Sequence, residues 1–328
     1  MKLIIIIPAL NEEKTIAQVL DSIPSEIEGV EEIETVVVDD GSTDSTASIA
    51  QEHGAKVVSH GTNRGVGAAF STGIDAALAE GADIILNMDA DGQFNPAHIP
   101  ELIAPIKEGR ADFVTATRFA LPELMPEMPT IKKWGNRWMV MIINFATGSH
   151  FTDVSCGFRA YTRDTALRLN LFGEFTYTQE TFLDLARKGT RMEEVPLKIR
   201  GEREHGKSRV ANSISRYAVR AGSIILLSLR DTRPLVFFGV IGLVILALGV
   251  ASGLFLFGHW LNTGMTSPYQ SVVTVSALLT ILGFLLIVLA LVADMLGRIR
   301  RNQEEMLYNL KKQGYSRDSM DGPGADSP

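Results

Sequence analysis

The stretch Asp83-Ile84-Ile85-Leu86-Asn87-Met88-Asp89-Ala90-Asp91 runs from an aliphatic segment straight into two carboxylates one residue apart. It reads as a buried strand over 83–88 that ends in an acidic turn. The same grammar recurs upstream. Residues 3–7 are an unbroken aliphatic run stopped by Pro8 and followed by Asn11-Glu12-Glu13. Residues 35–38 form a second such run, ending at Asp39-Asp40-Gly41. Residues 56–59 read as a third short strand, and 112–117 as a fifth that stops before Arg118. Helical patterns lie between them: 12–20, a segment through Ile49 that Ser42 or Thr43 can cap, 65–80, and one begun by Pro96. Continuous aliphatic strands suit a sheet covered on both faces. Their alternation with helices predicts an α/β fold with a mostly parallel sheet. Polar residues cluster where the strands end, which is where open α/β sheets bind ligands.

Beyond Arg118 the pattern changes. Residues 131–146 read as an amphipathic helix carrying Lys132, Lys133, Arg137 and two tryptophans. That composition suits a core helix or one lying in a membrane interface. Residues 210–229 form a second such helix. Residues 235–257 and 272–293 contain no charged residue. Each would make a helix of roughly 33–35 Å, against a hydrocarbon core of about 30 Å. The connector 258–270 has no Lys or Arg, whereas Arg216, Arg220, Arg230 and Arg233 precede the first stretch and Arg298, Arg300 and Arg301 follow the second. The positive-inside rule then predicts a transmembrane hairpin with both ends in the cytoplasm. Trp260 and Tyr269 sit where an interfacial aromatic belt would place them. Gly249 and Gly253 form a small-residue pair that lets helices approach closely, within the hairpin or between subunits of a homo-oligomer.

The first aliphatic run is too short for a signal peptide. The polar tail after Lys312 reads as disordered. The expected parts are a cytoplasmic catalytic domain over 1–209, a juxtamembrane amphipathic helix over 210–233, the hairpin over 234–294, and a cytoplasmic C-terminal helix and tail over 295–328.

The 328 residues are 46% hydrophobic and 21% charged, which excludes a disordered chain, a collagen-like chain and a disulfide scaffold. The single cysteine, Cys156, cannot close an intrachain disulfide. The net charge of −7, from 31 Lys+Arg and 38 Asp+Glu, argues against a nucleic-acid partner. Mean hydropathy is +0.13, high for this charge content, as when a polar domain is averaged with a very apolar segment.

Asp89 and Asp91 can share a hard divalent cation, Mg²⁺ or Mn²⁺, with substrate phosphates as further ligands, and Gln93 offers another oxygen. The same residues also suit an Asx turn leading into the next helix. Asp39-Asp40 adds a second acidic pair on the same sheet edge. It can accept hydrogen bonds from a base or ribose, or simply sit at a helix N-terminus favoured by the dipole.

The ordered set Pro8-Ala9-Leu10-Asn11-Glu12, Val38-Asp39-Asp40-Gly41-Ser42-Thr43-Asp44, Asn63-Arg64-Gly65 and Asp89-Ala90-Asp91-Gly92-Gln93 resembles family 2 glycosyltransferases of the GT-A fold. Arg118, Asp153 with Ser155-Cys156-Gly157-Phe158-Arg159, and Arg203 with Gly206-Lys207-Ser208-Arg209 extend the likeness. The branch resembled makes polyprenyl-phosphate sugars and includes dolichyl-phosphate mannose synthase and bacterial polyprenyl-phosphate glucosyltransferases. The likeness covers about residues 1–210. Gly92 departs from it, because many members carry an apolar residue there.

The resemblance implies that Pro8, Ala9 and Glu12 line a nucleotide pocket with Asp39 or Asp40. It implies that Asp89 and Ala90 contact the nucleoside, and that Asp91 and Gln93, with Asp89, hold the metal on the donor diphosphate. Arg118 and Arg203 would face the donor and acceptor phosphates, and Lys207, Ser208 and Arg209 would lie on a loop that closes over the site. The implied reaction is inverting transfer of a hexose from a nucleotide-sugar, of GDP-mannose or UDP-glucose type, to a polyprenyl or dolichyl phosphate. A phosphate monoester carries about −1.5 to −2 charges near neutrality, so the nucleophile needs no general base. Glu180, where the family often places its catalytic carboxylate, could act as a base or orient an arginine, and an acceptor that needs no deprotonation favours the orienting role. Asp153 reads as structural or arginine-orienting. The expected setting is a prokaryotic cell membrane, with the bilayer and its lipid phosphate as partners. Two other readings stand: transfer to another membrane lipid hydroxyl, which needs a true base, and a noncatalytic nucleotide-binding scaffold.

Overall fold

The computed structural model describes residues 1–126, 128, 130–170, 177–200 and 234–316. Arg203, Lys207, Ser208, Arg209, the helix expected over 210–229 and the tail beyond 316 lie outside them. The chain packs as two units, Met1–Ala221 with Leu307–Pro328, and Gly222–Met306.

The first unit is built on a seven-stranded sheet. In chain order its elements are β1 (Lys2–Ala9), α1 (Ile16–Asp21), β2 (Glu32–Asp39), α2 (Thr46–Glu52), β3 (Lys56–Ser59), α3 (Val66–Ala79) and β4 (Ile84–Asn87). A 3₁₀ turn (Pro96–His98) then leads to α4 (Ile99–Lys107), β5 (Phe113–Thr117), α5 (Thr130–Thr147), β6 (Arg159–Thr162), α6 (Arg163–Arg168), α7 (Tyr177–Arg187) and β7 (Met192–Pro196). The strand order is β3-β2-β1-β4-β6-β5-β7, with β6 antiparallel to both neighbours and the other pairs parallel.

The aliphatic run of β1 is continuous because both of its faces are covered. Leu3, Ile5 and Ile7 join Ile16, Val19 and Leu20 of α1 and Ile99, Leu102 and Ile103 of α4 in one core. Ile6 points the other way, and a Cβ placed on Gly73 of α3 would come within 3.1 Å of it. Glycine there lets the helix lie directly on the strand.

Beyond two strands that the sequence does not announce, β6 and β7, sequence and structure differ in how the first two helices begin. Ser42 and Thr43 do not cap α2, whose N-cap is Ser45 with no side-chain cap bond. They bind Asn11 instead: Asn11 N donates to Ser42 Oγ at 2.9 Å, and Thr43 N donates to Asn11 Oδ1 at 2.8 Å. The first helix also begins at Ile16, later than Glu12, because Glu12 is drawn into the same interlock through its N–H to Thr46 Oγ1 at 2.8 Å.

The end of the last helix belongs to this unit too. Tyr308 is buried, its hydroxyl bonds the Asp164 carboxylate at 2.5 Å, and the Arg168 guanidinium lies 4.0 Å from its ring centroid.

The second unit holds α8 (Pro234–Thr263) and the main part of α9 (Gln270–Gly314). Both are long and apolar enough to cross a membrane. Gly249 and Gly253 face the partner helix, the first against Thr280 and the second against Ser276 Oγ at 3.1 Å. Their closeness therefore serves the hairpin. Gly242 and Gly283 extend the seam, and a Cβ on Gly283 would run into the Leu246 backbone nitrogen. Ser276 Oγ donates to the Gly249 carbonyl across the seam at 2.8 Å. Gly283→Ala is expected to force the helices apart, break that bond and cost about 1–3 kcal/mol. The readout is the SDS concentration at which a fluorescent donor–acceptor pair across the hairpin separates; an unchanged midpoint would show that the seam does not hold the hairpin.

Candidate active site

The C-terminal ends of β1, β2, β4 and β5 bring Pro8 and Ala9, Asp39 and Asp40, Asp89 to Gln93, and Arg118 to one edge of the sheet. The first residue of β6 joins them, because Arg159 pairs with Asn87 at the end of β4.

The two aspartates after β2 divide their roles. Asp40 is turned inward. Its Oδ1 accepts from Arg64 N at 2.9 Å and from His60 Nδ1 at 2.8 Å, and its Oδ2 accepts from Gly65 N at 2.8 Å. A carboxylate only accepts, so His60 donates through Nδ1, and its Nε2 lies 2.9 Å from Thr72 Oγ1. This carboxylate is spent on fixing the 60–65 loop. That loop lies so close to Gly41, at φ 79°, that a Cβ there would meet the Thr62 carbonyl carbon at 2.7 Å. Asp39 spends Oδ1 on Ser42 N at 3.0 Å. Its Oδ2 has no partner among the described residues.

After β4 the acidic turn is tightly built. Asp91 is buried and its Oδ1 accepts from Gln93 N at 3.1 Å, an Asx turn. Gln93 accepts through its carbonyl from Arg200 N at 3.2 Å, so the turn holds the start of the segment that carries Arg203. Asp89 lies against the bare face of Gly157, where a Cβ would come within 3.1 Å of its Oδ2. Any side chain at 157 would push on this carboxylate.

Arg118 is gripped by a fork. Its Nε and Nη2 donate to the two Asp153 oxygens at 2.6 and 3.0 Å, and Nη2 also donates to Ser155 Oγ at 2.7 Å. Nη1 has no partner among the described residues. Burial works against the charge on Arg118, but the fully buried Asp153 carboxylate outweighs it and Asp89 adds to the field, so the guanidinium pKa rises. Asp153 is thus an arginine-orienting residue, and the arginine is Arg118.

Several groups support the site through partnerships that the sequence does not show, although Ser155 and Arg159 themselves lie in the motif that carries the resemblance. Ser155 Oγ lies 3.0 Å from Asn136 Oδ1, so α5 braces the fork from one side. Glu194 on β7 braces it from the other, accepting from Thr152 N and Asp153 N at 2.9 Å each. Burial raises the Glu194 pKa, while those backbone donors pull it down. Arg159 is fully buried and donates to three carbonyls, those of Cys156 at 2.7 Å, Thr178 at 2.8 Å and Val154 at 3.3 Å. The first two tie the 154–157 segment to the first turn of α7, where Glu180 sits. Of these groups, Asn136 and Glu194 carry no such motif.

Cys156 is buried between the two arginines, and burial pushes its thiol up to about 12. It should stay unreactive toward Ellman's reagent at pH 8 in the folded protein and react at once in denaturant. Fast labelling of native protein would contradict this packing.

Among the described residues no three His, Cys, Asp or Glu side chains converge as a closed metal cage. Two hard carboxylates on one turn are still the donor set of a Mg²⁺ or Mn²⁺ site that substrate phosphates complete. The residues present fit such an ion.

Comparison with known proteins agrees with this architecture. The chain is 27% identical over 313 residues to glycosyltransferase AglJ of Haloferax volcanii, covering 94% of this chain and 97% of that one. It is 30% identical over 232 residues to undecaprenyl-phosphate mannosyltransferase of Micrococcus luteus, covering 67% of this chain and 91% of that one. Its fold matches glucosyl-3-phosphoglycerate synthase of Mycobacterium tuberculosis, solved with Mn²⁺ and UDP-glucose, at a TM-score of 0.52 and 25% identity, covering 70% of this chain and 78% of that one. That neighbour acts on a different acceptor from the undecaprenyl-phosphate enzyme of Micrococcus luteus. The family model "Glycosyl transferase family 2" matches residues 4–168, which contain both acidic turns, Arg118 and its Asp153 fork. With this sheet, these turns and these relatives, the chain belongs to glycosyl transferase family 2.

Proposed function

We propose that this protein transfers a hexose from a nucleotide-sugar to a polyprenyl phosphate at the cytoplasmic face of a membrane. The observation that carries the proposal is the Arg118 fork beside the acidic turn on a chain with two membrane-length helices. A cationic, half-satisfied guanidinium suits a phosphate. The lipid-linked relative from Micrococcus luteus supports the acceptor class.

In this reading Pro8, Ala9, Glu12, Asp39 and Ala90 form the nucleoside pocket. Asp39 offers Oδ2 to base or ribose, while Asp40 shapes the pocket from behind. Asp89 and Asp91, with Gln93 beside them, would hold Mg²⁺ or Mn²⁺. When bound, the ion supplies Lewis acidity to the departing diphosphate. Arg118 keeps one edge for a phosphate oxygen, and Asp153 and Ser155 fix the plane of that edge. Arg203, Lys207, Ser208 and Arg209 would add the charge that brings a second phosphate close. Glu180, in the first turn of α7, orients an arginine. No residue is asked to remove a proton from an acceptor that is already ionised, and direct displacement inverts the anomeric carbon. The catalytic domain then occupies 1–209, the helix over 210–233 leads to the hairpin at 234–294, and both termini are cytoplasmic.

The test is to incubate the purified protein with several radiolabelled nucleotide-sugars, each with polyprenyl phosphate and Mn²⁺, and extract the lipid. Label should enter a lipid that mild acid cleaves. Label that enters only an acid-stable glycolipid would favour the hydroxyl acceptor, and Glu180→Gln should then abolish turnover. No labelled lipid from any donor would favour the scaffold.

A further inference from the structure

Glu193 and Glu194 are successive residues of β7 and point to opposite faces of the strand. Glu193 pairs with Arg110 at the surface. Glu194 is half-buried and turns toward the 152–153 segment, where its carboxylate gathers three donors. Oε1 accepts from Thr152 N at 3.0 Å and from Asp153 N at 2.9 Å, and Oε2 accepts from Thr152 Oγ1 at 2.9 Å. An ionised carboxylate only accepts, so the Thr152 hydroxyl proton is spent on it. The next contact, 2.6 Å between Thr117 Oγ1 and Thr152 Oγ1, then runs from Thr117 to Thr152. Thr117 Oγ1 in turn accepts from Phe119 N at 3.2 Å. The outcome is a one-way chain from Phe119 N through two hydroxyls to Glu194, and residues 117 and 119 flank Arg118.

We propose that Glu194 is the positioning residue for the phosphate-binding edge of Arg118, because one carboxylate holds both the backbone that carries the arginine and the residue that grips it. The hydroxyl chain fixes the backbone on either side of Arg118. The bond from Asp153 N fixes the segment whose carboxylate takes Arg118 Nε at 2.6 Å and Nη2 at 3.0 Å. Packing alone gives no reason for an acid at this place. Burial and the nearby Asp153 carboxylate both work against charge on Glu194, a cost that an apolar side chain would avoid. An acid alone draws all three donors and sets the direction of the chain. An amide keeps half of this. Its oxygen can take the two N–H groups, but its NH₂ would donate to Thr152 Oγ1 and reverse the chain, leaving the Thr117 hydroxyl proton without that acceptor.

This inference deepens the proposed transfer and rests on that reading for its kinetic measurement, whereas its spectroscopic measurement is independent of the reaction. The experiment uses the full chain in detergent with isotope-labelled arginine. The Arg118 Nε–H resonance is assigned by its loss in Arg118→Lys. Its exchange with water is compared in the wild type, Glu194→Ala, Glu194→Gln and Thr152→Val. For each, kcat and the KM for nucleotide-sugar are measured well below the melting midpoint. The wild-type proton should exchange slowly. Glu194→Ala should quicken exchange and lower kcat roughly a hundredfold, the scale of a small misplacement at a reacting centre. Thr152→Val keeps both N–H donors and removes only the hydroxyl, so it should quicken exchange less and lower kcat about tenfold. In both variants KM should change less than kcat. Glu194→Gln should fall between the wild type and Glu194→Ala. If Glu194→Ala does not fold, Thr152→Val carries the test. A lower melting midpoint with wild-type exchange and kcat overturns the proposal, since Glu194 then serves stability alone. So does a fall in kcat while the Arg118 proton still exchanges slowly. If the wild type transfers no sugar, the transfer reading has failed separately and the exchange rates alone decide for or against Glu194.

Discussion

Asp91→Ala is expected to lower sugar transfer by roughly a thousandfold, the several kcal/mol that a Lewis-acid ion contributes to a leaving group. The residue sits in the acidic turn with its Oδ1 already committed to Gln93 N. A variant at this position also loses an Asx turn, so the fold must be checked alongside activity. Asp91→Asn serves for that purpose, because an amide oxygen can still accept from Gln93 N while the charge is gone. Both variants should bind a nucleoside diphosphate more weakly in Mn²⁺ and no more weakly in EDTA. Full activity in either variant would remove Asp91 from the metal.

The second large effect belongs to the Arg118–Asp153 pair. Asp153 is fully buried and Arg118 largely so. Removing only the arginine leaves a carboxylate without its countercharge in the interior, at a cost of about 3–5 kcal/mol. Arg118→Ala should therefore lower the denaturation midpoint and abolish transfer together. The double variant Arg118→Met with Asp153→Leu separates the two, since a buried pair replaced by apolar groups of similar size can be close to neutral. It should recover much of the stability and none of the transfer. Recovery of transfer would reduce Arg118 to a packing residue.

The sequence reveals its strands unevenly, and the reasons are physical. β1, β2 and β4 announce themselves because a strand covered on both faces must be aliphatic throughout. β3 appears at its observed bounds, Lys56–Ser59. β6 stays hidden. It is four residues long, starts with an arginine, and runs antiparallel between parallel-type strands. An arginine can be buried there only because three carbonyls of the fold converge on it, and no local pattern encodes that. β7 carries Glu193 and Glu194 and ends in Pro196, so it reads as a polar loop. One of those glutamates, Glu194, is half-buried because the backbone N–H groups of 152 and 153 receive it.

The candidate site was legible in its residue types more than in its partnerships. Spacing points to Asp89 and Asp91, and resemblance points to Arg118. Which of Asp39 and Asp40 faces a ligand depends on His60, Arg64 and Gly65, which arrive from beyond the next strand. The two glycines noticed in the first apolar helix turn out to be half of a seam whose other contributors, Gly242 and Gly283, lie one or more turns away or on the other helix.

The central claim is that the turn after β4 and the Arg118 fork together receive a nucleoside diphosphate and its metal. Diffraction at the manganese absorption edge, from crystals of the full chain grown with Mn²⁺ and a nucleoside diphosphate, tests it most directly. The account predicts one anomalous peak at about 2.1 Å from a carboxylate oxygen of Asp91 or Asp89, with the diphosphate between that peak and Arg118. A diphosphate bound elsewhere, with no manganese on the turn, would contradict it.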